Sequence, residues 1–533
     1  MSEKSFKVTF NPSGITVEAR SGETIHEAAA RGGVQIARPC GGSGVCGKCR
    51  VKARSCVGPP TETEKRVLGK EALDEGIRLA CMARISGEGE ILVLDEVDNK
   101  GSKILSEISE EQLSWQPDSK GYGAAFDIGT TTVVAYLLDL ERHRLIDSIS
   151  FLNPQITYGD DVISRISYSS SEGGLHRLQK VMVHEMNQRL EEMASRNNIE
   201  LHEICQITVV GHAVMEHLLA AISPESIGVS PYKPEFLSLP PMEAASLGLE
   251  INPEGRINFL PNVAGYVGAD IVSGVSVTGI ADSPAVRLFV DTGTNNEIVL
   301  GSSEAIYCCA TAAGPAFEGA RIGSGMRAAP GAIEKVYRDE DRIVVETIED
   351  APARGICGSG LVDAVAVLLD GGIVDRKGRM VYPEECDDPW IRERMDRGPD
   401  GILRILLAEG EKPVYITQKD IREVQLALGA VKVGIEVLLE RAGLTLDEID
   451  EVLLAGAFGN YIDQESAVRV GLLPPVPLEK IRGVRNAAGR GSVAALASAP
   501  FWEKTHSVAR KMHYIELSTL KDFQNRFMKA MFF

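Results

Sequence analysis

Three cysteines within ten residues constrain this chain more than any other feature of its sequence. Cys40, Cys46 and Cys49 are separated by five and two residues, in a loop rich in glycine. A fourth cysteine, Cys81, follows after 31 further residues, in a run with the pattern of a β-strand. Four thiolates, three closely spaced and one remote, are the ligand set of a [2Fe–2S] cluster. Glycine lets the backbone fold tightly around such a cluster. We therefore predict that these four cysteines bind it.

Two other interpretations of the cysteines are a tetrahedral zinc site and ordinary buried thiols. Zinc sites usually have two short pairs of ligands rather than three in a row. Cys56 is close to the motif but out of register, so it is interpreted as a spare cysteine. The spacing resembles that of plant-type ferredoxins, and the gap of five residues is similar to their adrenodoxin branch. The resemblance covers roughly residues 4–96 and implies a β-grasp fold for a domain at residues 1–97. His26, on a predicted helix there, is interpreted as a surface residue.

The length of 533 residues is too great for a single core, so two to four domains are expected. The content of 44% hydrophobic and 25% charged residues is that of an ordinary globular protein. Apolar runs are too short to span a membrane, and the first residues lack the apolar core of a signal peptide. Ten cysteines, four of them assigned to a cluster, do not suggest a disulfide framework. A cytoplasmic protein without a membrane partner is expected.

Charge is distributed unevenly along the chain. The formal net charge is −19, while the first 98 residues hold 14 basic and 14 acidic residues, so the excess of acid lies in the remainder. Nucleic acid is therefore not expected as a partner. The cysteine loop is locally basic, and its cations are Arg38, Lys48, Arg50, Lys52 and Arg54. This basic rim is either a solvated loop or a docking surface for an acidic electron-transfer partner.

After a polar linker at residues 98–121, two stretches have the same design. In each, an apolar strand ends at an aspartate, a turn of small hydroxyl or amide residues follows, and a second strand begins. Such turns bring N–H groups and hydroxyls to phosphate oxygens, and the carboxylate can hold Mg²⁺ through water. The catalytic candidates are Asp127 and Asp291. The nucleotide-binding candidates in the two turns are Gly129, Thr130, Thr131 and Thr132, then Gly293, Thr294, Asn295 and Glu297.

A third stretch, at 452–459, is an apolar strand that runs into a turn containing Gly456, Phe458 and Gly459. The three stretches in this order resemble the two phosphate motifs and the adenosine motif of the actin, sugar kinase and Hsp70 superfamily. Segments 267–274 and 486–496 are similar to its helices that connect the lobes. Gly358, Ser359 and Gly360 open a predicted amphipathic helix whose first amides could face the nucleotide.

The expected architecture is multidomain, α+β and α/β. An N-terminal β-grasp [2Fe–2S] ferredoxin domain is followed by the linker and a two-lobed, actin-like (ribonuclease H-like) ATPase. Its lobes are expected at residues 122–284 and 285–533, the second including the C-terminal segment. No P-loop and no dinucleotide-binding glycine pattern is present in the sequence.

The pairing of these two modules resembles the reductive activators of corrinoid proteins. Segments 153–156, 159–166 and 314–320 share that resemblance, which spans nearly the whole chain. It implies an enzyme that reduces cob(II)amide to cob(I)amide at the expense of ATP. Mg²⁺, which the carboxylates of the two turns can hold, is expected as a further cofactor. The resemblance also implies a homodimer, a corrinoid protein of a methyltransferase system as partner, and a low-potential electron donor. One departure is at Gly211-His212-Ala213, where Asn and Thr would be expected after the glycine.

Three other functions remain open from the sequence. One is an ATP-dependent activator of a radical dehydratase, although no extra cysteine pair offers the [4Fe–4S] cluster that such a protein needs. Another is a small-molecule kinase with a redox-sensing ferredoxin domain, which would phosphorylate a substrate rather than hydrolyse ATP. The third is an ATP-gated binding protein that forms no cob(I).

Overall fold

A computed structural model describes most of the 533-residue chain. The described residues are 5–34, 36, 42, 44, 47, 49–53, 55–94, 113–293, 295–311, 314–319, 321–340, 342–410, 412–459 and 461–533. Cys40, Cys46 and Thr294 lie outside these ranges, as do the side chain of Phe458 and residues 98–112 of the predicted linker.

The N-terminal part is a five-stranded sheet with strand order β2-β1-β5-β3-β4. Its elements are β1 (Ser5–Asn11), β2 (Ile15–Arg20), α1 (Ile25–Arg31), β3 (Arg50–Lys52), α2 (Glu62–Asp74), β4 (Ile77–Leu79) and β5 (Gly89–Val93). Alternate residues of β1, Val8 and Phe10, are fully buried, as the period of two of a half-buried strand requires. His26 is buried too, and its Nε2 lies 3.0 Å from the Ile36 carbonyl oxygen. The surface position expected for His26 is therefore wrong, because this contact draws the ring inside.

Helix α2 lies between β3 and β4 and was not expected. Thr61 begins it with a capping box, in which the Thr61 hydroxyl accepts from the Glu64 N–H and the Glu64 carboxylate accepts from the Thr61 N–H. The helix packs against the cysteine loop: a Cβ on Gly44, whose φ is +77°, would lie 2.8 Å from the Thr63 side chain. Gly44 is thus required both by its backbone conformation and by this close approach.

The next part is a six-stranded sheet with order β10-β11-β9-β6-β7-β8. Its elements are β6 (Tyr122–Ile128), β7 (Thr132–Asp139), β8 (Arg144–Leu152), α3 (Val162–Ser169), α4 (Gly174–Arg196), β9 (Ile204–Gly211), α5 (Ala213–Leu219), β10 (Met242–Glu243), β11 (Arg256–Phe259) and α6 (Ala269–Thr278). In α4, apolar residues such as Leu178 and Met182 form a helical stripe that is buried in the core of this lobe.

The last part is built on a second six-stranded sheet, with order β22-β21-β12-β13-β14-β23. Its first elements are β12 (Arg287–Thr292), β13 (Asn296–Gly301), β14 (Ile306–Thr311), β15 (Ala332–Asp339), β16 (Arg342–Thr347), β17 (Gly355–Ile356), α7 (Gly358–Asp370), α8 (Pro389–Glu393), β18 (Met395–Arg397), β19 (Leu403–Ala408) and β20 (Val414–Thr417). The remaining elements are α9 (Gln418–Ala442), β21 (Glu451–Ala455), α10 (Gly456–Gly459), α11 (Gln464–Val470), β22 (Ile481–Gly483), α12 (Ala487–Ala497), α13 (Ala499–Lys511), β23 (Met512–Tyr514) and α14 (Phe523–Ala530).

The two large sheets repeat one design. In the first, β6, β7 and β8 are antiparallel neighbours while β9 and β11 run parallel to β6. In the second, β12, β13 and β14 are antiparallel while β21 and β22 run parallel to β12. This duplicated sheet confirms the two-lobed class expected from the matched hairpins.

Helices α6 and α12 connect the two lobes because each helix packs against the sheet of the opposite lobe. Val272 and Val275 of α6 belong to a cluster with Phe289 and Leu453 of the second sheet. Val493 and Leu496 of α12 instead pack with strands β6 and β7 of the first sheet. Ser273 of α6 donates to the Ala488 carbonyl of α12 over 2.8 Å. Helix α6, which follows the first sheet in the chain, therefore packs on the second sheet, and α12, which follows the second sheet, packs on the first.

The C-terminal segment docks on the second lobe. Leu520, Phe523 and Phe527 pack against the core of that lobe, and Gln425 of α9 donates to the Met531 carbonyl over 2.7 Å. Helix α7 differs from the expectation, since it is buried on almost all sides rather than amphipathic. Within the described residues, every helix is either too short or too polar to cross a lipid bilayer.

Candidate functional site

The turn between β6 and β7 is held rigidly from outside the cleft that it lines. The Gly129 N–H donates to the Thr132 carbonyl over 3.0 Å. Asn153 Nδ2 donates to the Gly129 carbonyl over 2.8 Å, and the buried guanidinium of Arg165 donates to the Thr130 carbonyl over 2.5 Å. Asn153 and Arg165 thus occupy these two carbonyls, while the three threonines of the turn line the cleft, where the Thr131 hydroxyl donates to Glu318 over 3.3 Å.

The corresponding turn of the second lobe lies beside the end of β21. Strands β12 and β21 are parallel neighbours, with Asp291 opposite Ala455. The next residue, Gly456, has φ +87°, and a Cβ there would lie 2.7 Å from Asp291 Oδ1 and 2.8 Å from the Thr292 carbonyl. Glycine is thus needed for the third predicted motif to approach the second. The Gly293 N–H closes the turn by donating to the Asn295 carbonyl over 3.1 Å.

A cavity of about 350 Å³ lies between the lobes, and both hairpins line it. Twelve of the predicted residues contribute to its lining: Asp127, Gly129, Thr130, Thr131, Thr132, Asp291, Gly293, Asn295, Glu297, Gly358, Ser359 and Gly456. Gly358 is the first residue of α7, so the N-terminal amides of a 13-residue helix open toward the cavity.

Two predicted residues lie elsewhere among the described part of the chain. A Cβ on Gly360 would collide with the Ile333 carbonyl, so this glycine permits close packing of α7 on β15. A Cβ on Gly459 would lie 2.9 Å from the Leu454 side chain, which makes it a packing glycine of its own lobe.

Four carboxyl groups from both lobes have raised pKa values in the cavity, and burial is the largest cause for each. Burial raises the pKa of Asp127 to about 7; the charge of Asp270 adds to this, and a hydrogen bond with Asn486 opposes it. Burial, Asp270 and Asp127 together raise the pKa of Asp291 to about 7. Burial raises the pKa of Asp270 to about 6. For Glu297, burial followed by the charges of Asp270 and Asp291 raises the pKa well above its usual value.

This donor set fits a magnesium ion held through water. Carboxylate oxygens are the ligands that Mg²⁺ prefers, and the ion keeps several of its waters. Within the described residues, no three Asp, Glu, His or Cys side chains converge closely enough to enclose an ion directly. The four carboxylates would therefore bind a hydrated ion, and its charge would relieve their mutual repulsion.

The structure adds cleft residues that the sequence motifs did not include. Asp270 opens α6, and its charge reaches Asp127, Asp291 and Glu297. His212 follows β9 and is buried; its Nδ1 accepts from the Val214 N–H over 3.2 Å. Burial and the neighbouring His217 lower the pKa of His212 to about 4, so its ring is neutral. Further residues of the lining are Glu318, Arg327, Glu334 and Asn486.

The thiols of Cys49 and Cys81 meet because their strands pair. Arg50 of β3 lies opposite Leu79 of β4, and the Ala80 N–H donates to the Cys49 carbonyl over 2.8 Å, which brings Cys49 close to Cys81. Their Sγ atoms are 3.3 Å apart and both residues are buried. This is longer than a disulfide of about 2.05 Å. It approaches the separation of about 3.8 Å of two thiolates on one tetrahedral metal with bonds of about 2.3 Å. The pair therefore fits an iron–sulfur site. Cys56 is fully buried and its Sγ lies 3.8 Å from the Glu90 carbonyl oxygen.

Three family models match the chain, one for each part. A [2Fe–2S] iron–sulfur cluster binding domain matches residues 8–86. The middle region of RACo matches residues 122–283, and the C-terminal domain of RACo, described as the ASKHA domain, matches residues 285–533. The chain therefore carries an iron–sulfur domain and a nucleotide-binding domain.

Individual relatives agree with these matches. The corrinoid activation enzyme RamQ of Eubacterium limosum is 36% identical over 415 residues, which are 76% of this chain and 69% of that protein. The [Co(II) methylated amine-specific corrinoid protein] reductase of Methanosarcina barkeri is 25% identical over 66% of each chain. The solved structure of a reductive activator for corrinoid,iron-sulfur protein superposes with a TM-score of 0.70 at 31% identity, covering 99% of this chain and 98% of that one.

Proposed function

The chain belongs to the family of reductive activators of corrinoid proteins, and from this we propose that it reduces the cob(II) state of a corrinoid protein to cob(I). A [2Fe–2S] cluster held by Cys40, Cys46, Cys49 and Cys81 would supply the one electron that Co(II) needs, and an external donor would reduce the cluster again. Binding and hydrolysis of ATP in the cavity between the lobes drive the transfer. The enzyme activates its partner by electron transfer, as the named relatives do.

One observation carries the ATPase part of this proposal. Asp127 and Asp291 end two matched strands, one from each lobe, and their charges interact in one cavity. A nucleotide bound there is contacted by both lobes at once. Asp127 and Asp291 would hold Mg²⁺, whose charge would offset that of the phosphates, and the two carboxylates would orient the water that attacks the terminal phosphorus. The bond from this phosphorus to ADP breaks as the bond to water forms.

The remaining predicted residues then have distinct roles. Thr130, Thr131 and Thr132 supply hydroxyl and amide donors to phosphate oxygens from the first lobe, and Gly293 and Asn295 do so from the second. Gly358 and Ser359 present the N-terminus of α7, whose amides favour an anion. Gly456, beside Asp291, brings the third motif to the nucleotide.

Energetics explain why an electron-transfer protein needs an ATPase. Plant-type clusters have reduction potentials near −400 mV, and Co(II) corrinoids are generally harder to reduce. An uphill electron step proceeds when it is coupled to a conformational change that ATP drives, because linked equilibria share one free energy. Closure of two lobes on a nucleotide is such a change.

The partners of the proposal are a corrinoid protein, a low-potential electron donor and a second copy of the chain. Arg50 and Lys52 of the basic rim are exposed beside Cys49, where they suit an acidic redox partner. Rim charges act mainly on encounter rate and are screened over about 8 Å at physiological salt. Changing both to glutamate should therefore slow reduction of the cluster or of cob(II) at low salt, and less so at high salt.

The test uses the cluster-loaded chain, a cob(II) corrinoid protein and a titanium(III) reductant. Formation of the cob(I) absorption band should require Mg²⁺ and ATP together, and phosphate should be released without phosphorylation of any small molecule. Asp291→Asn should abolish both the band and phosphate release while the cluster spectrum is retained. Cob(I) formation of equal rate without ATP would contradict the proposal, and phosphate transfer to a small molecule would favour the kinase.

A further inference from the structure

The charge of the cavity is unsuited to a polyphosphate unless something compensates it. Among the described residues that line it, six are Asp or Glu and a single one, Arg327, is Lys or Arg. A nucleotide triphosphate adds several negative charges to these carboxylates. One hydrated Mg²⁺ offsets part of the repulsion, and a cation from the protein that contacts phosphate directly would offset more.

Arg327 belongs to one lobe and faces the other. It lies between β14 and β15 of the second lobe. Its charge nevertheless reaches Asp160, which precedes α3 of the first lobe. Burial raises the pKa of Asp160 to about 6, and Arg327 is the largest of the charges that oppose this. The same guanidinium repels that of Arg165, which holds the Thr130 turn. Arg327 is therefore placed near the phosphate-binding turn of the opposite lobe.

Arg327 has no structural task that explains this position. Its side chain is exposed to the cavity, and within the described residues it forms no ion pair of 4.0 Å or less and donates no hydrogen bond to the protein. Arg165, by contrast, is buried and donates to the Gly159 and Thr130 carbonyls. An unpaired arginine that faces carboxylates across a gap is available for an anion between them. Its planar guanidinium suits two phosphate oxygens at once.

We propose that Arg327 binds the terminal phosphate of the nucleotide and thereby ties the second lobe to the phosphate-binding turn of the first. This rests on the proposed binding of ATP in the cavity. The terminal phosphate is the group that ATP has and ADP lacks, so the contact is present before hydrolysis and lost after release of phosphate. Arg327 thus makes closure of the lobes depend on which nucleotide is bound.

The test compares Arg327→Gln with Arg321→Gln. Arg321 lies in the same segment, is 66% exposed and approaches Glu423 at 4.0 Å, and it is not among the residues lining the cavity. Binding of Mg²⁺ with adenylyl imidodiphosphate, and of Mg²⁺ with ADP, is measured by calorimetry on the full chain. Arg327→Gln should weaken the triphosphate analogue at least tenfold and change ADP less than twofold. Arg321→Gln should change neither, and Arg327→Lys should fall between the wild type and Arg327→Gln.

The two nucleotides separate a phosphate contact from a merely structural role. Equal weakening of both by Arg327→Gln would show that the side chain supports the fold of the cavity, and it would overturn the proposal. Unchanged binding of both would overturn it as well. If the wild-type chain binds neither nucleotide, the proposed ATPase function fails together with this inference. If the wild-type chain binds both nucleotides, and Arg327→Gln leaves the ratio of their two affinities unchanged, this inference fails while the proposed ATPase function stands.

Discussion

The buried ion pair between Glu64 and Arg78 should control how firmly α2 covers the cysteine loop. Arg78 Nε and Nη2 donate to the two oxygens of Glu64, each over 2.9 Å, and the side chains are only 5% and 0% exposed. The Leu79 N–H also donates to Glu64 over 3.1 Å. Cys81 follows Arg78 by three residues, so the pair links α2 to a predicted cluster ligand.

Glu64→Gln keeps the shape of the side chain but leaves the buried arginine without its counter-charge. Breaking one partner of a buried pair costs about 3–5 kcal/mol. A loss of about 3 kcal/mol corresponds to about a hundredfold in the opening equilibrium of this segment, since about 1.4 kcal/mol is tenfold. Amide hydrogen exchange of residues 58–82 should accelerate by about this factor, and the cluster absorption should decay faster in air.

A matched control lies on the same helix. Glu62 pairs with Lys65 over 2.6 Å, but the side chains are 89% and 55% exposed, so Glu62→Gln should cost about 0.5 kcal/mol or less. Equal exchange rates in the two variants would refute the reasoning. The acid dependence has a defined sign. Burial would raise the pKa of Glu64, yet Arg78 and the donated N–H groups hold it below its usual value. The stabilisation is therefore present at neutral pH and is lost as pH falls through that lowered pKa.

Three further predictions concern the cluster, the carboxylates and the contact between the lobes. Cys81→Ala should abolish the [2Fe–2S] absorption and the rhombic signal in electron paramagnetic resonance, whereas Cys56→Ala should leave both; the reverse result would contradict the ligand assignment. Asp127→Asn should remove most ATP hydrolysis with the cluster spectrum intact, and unchanged turnover would exclude this cavity as the ATPase site. Gly491→Ala should cost about 1–3 kcal/mol by overpacking, measured by denaturant unfolding, because its Cβ would collide with Ser273; unaltered stability would show that the helices can separate.

The fold could be predicted where the sequence carries local signals. The two matched hairpins can be predicted from the sequence because an apolar strand, an aspartate and a turn of small residues follow one another within ten positions. The stripe of α4 is readable because its apolar residues recur at helical spacing. The prediction that four cysteines bind one cluster requires them to converge, and the contact between Cys49 and Cys81 agrees with that prediction.

The missed features depend on tertiary structure. Helix α2 had a readable signal, the Thr61–Glu64 capping box, but its polar residues give no apolar stripe and its buried face is an ion pair. Asp270 looks like an ordinary first-turn acid of a helix until β9 and β12 place it beside Asp127 and Asp291. Arg327 lies in a segment without regular secondary structure between β14 and β15. That it faces the cavity becomes visible only when the two lobes are placed together. His26 was misjudged because its partner is a backbone carbonyl, which no residue pattern reveals.

The exchange of α6 and α12 limits how the lobes can move. Because each helix is buried on the sheet of the opposite lobe, separating the lobes would expose both clusters to water. The crossing itself is tight: Gly491 leaves no room for a Cβ beside Ser273, and a Cβ on Gly274 would lie 2.8 Å from the ring of Phe289. The small residues at this crossing let the two helices slide along each other, and their close contact leaves no cavity between the helices. Rotation of the lobes must then occur by shear of α6 against α12. Asp270, at the start of α6, moves with this shear and lies among the carboxyl groups of the cavity in which we propose that ATP binds. On that proposal, the nucleotide contacts a residue whose position changes when the lobes rotate.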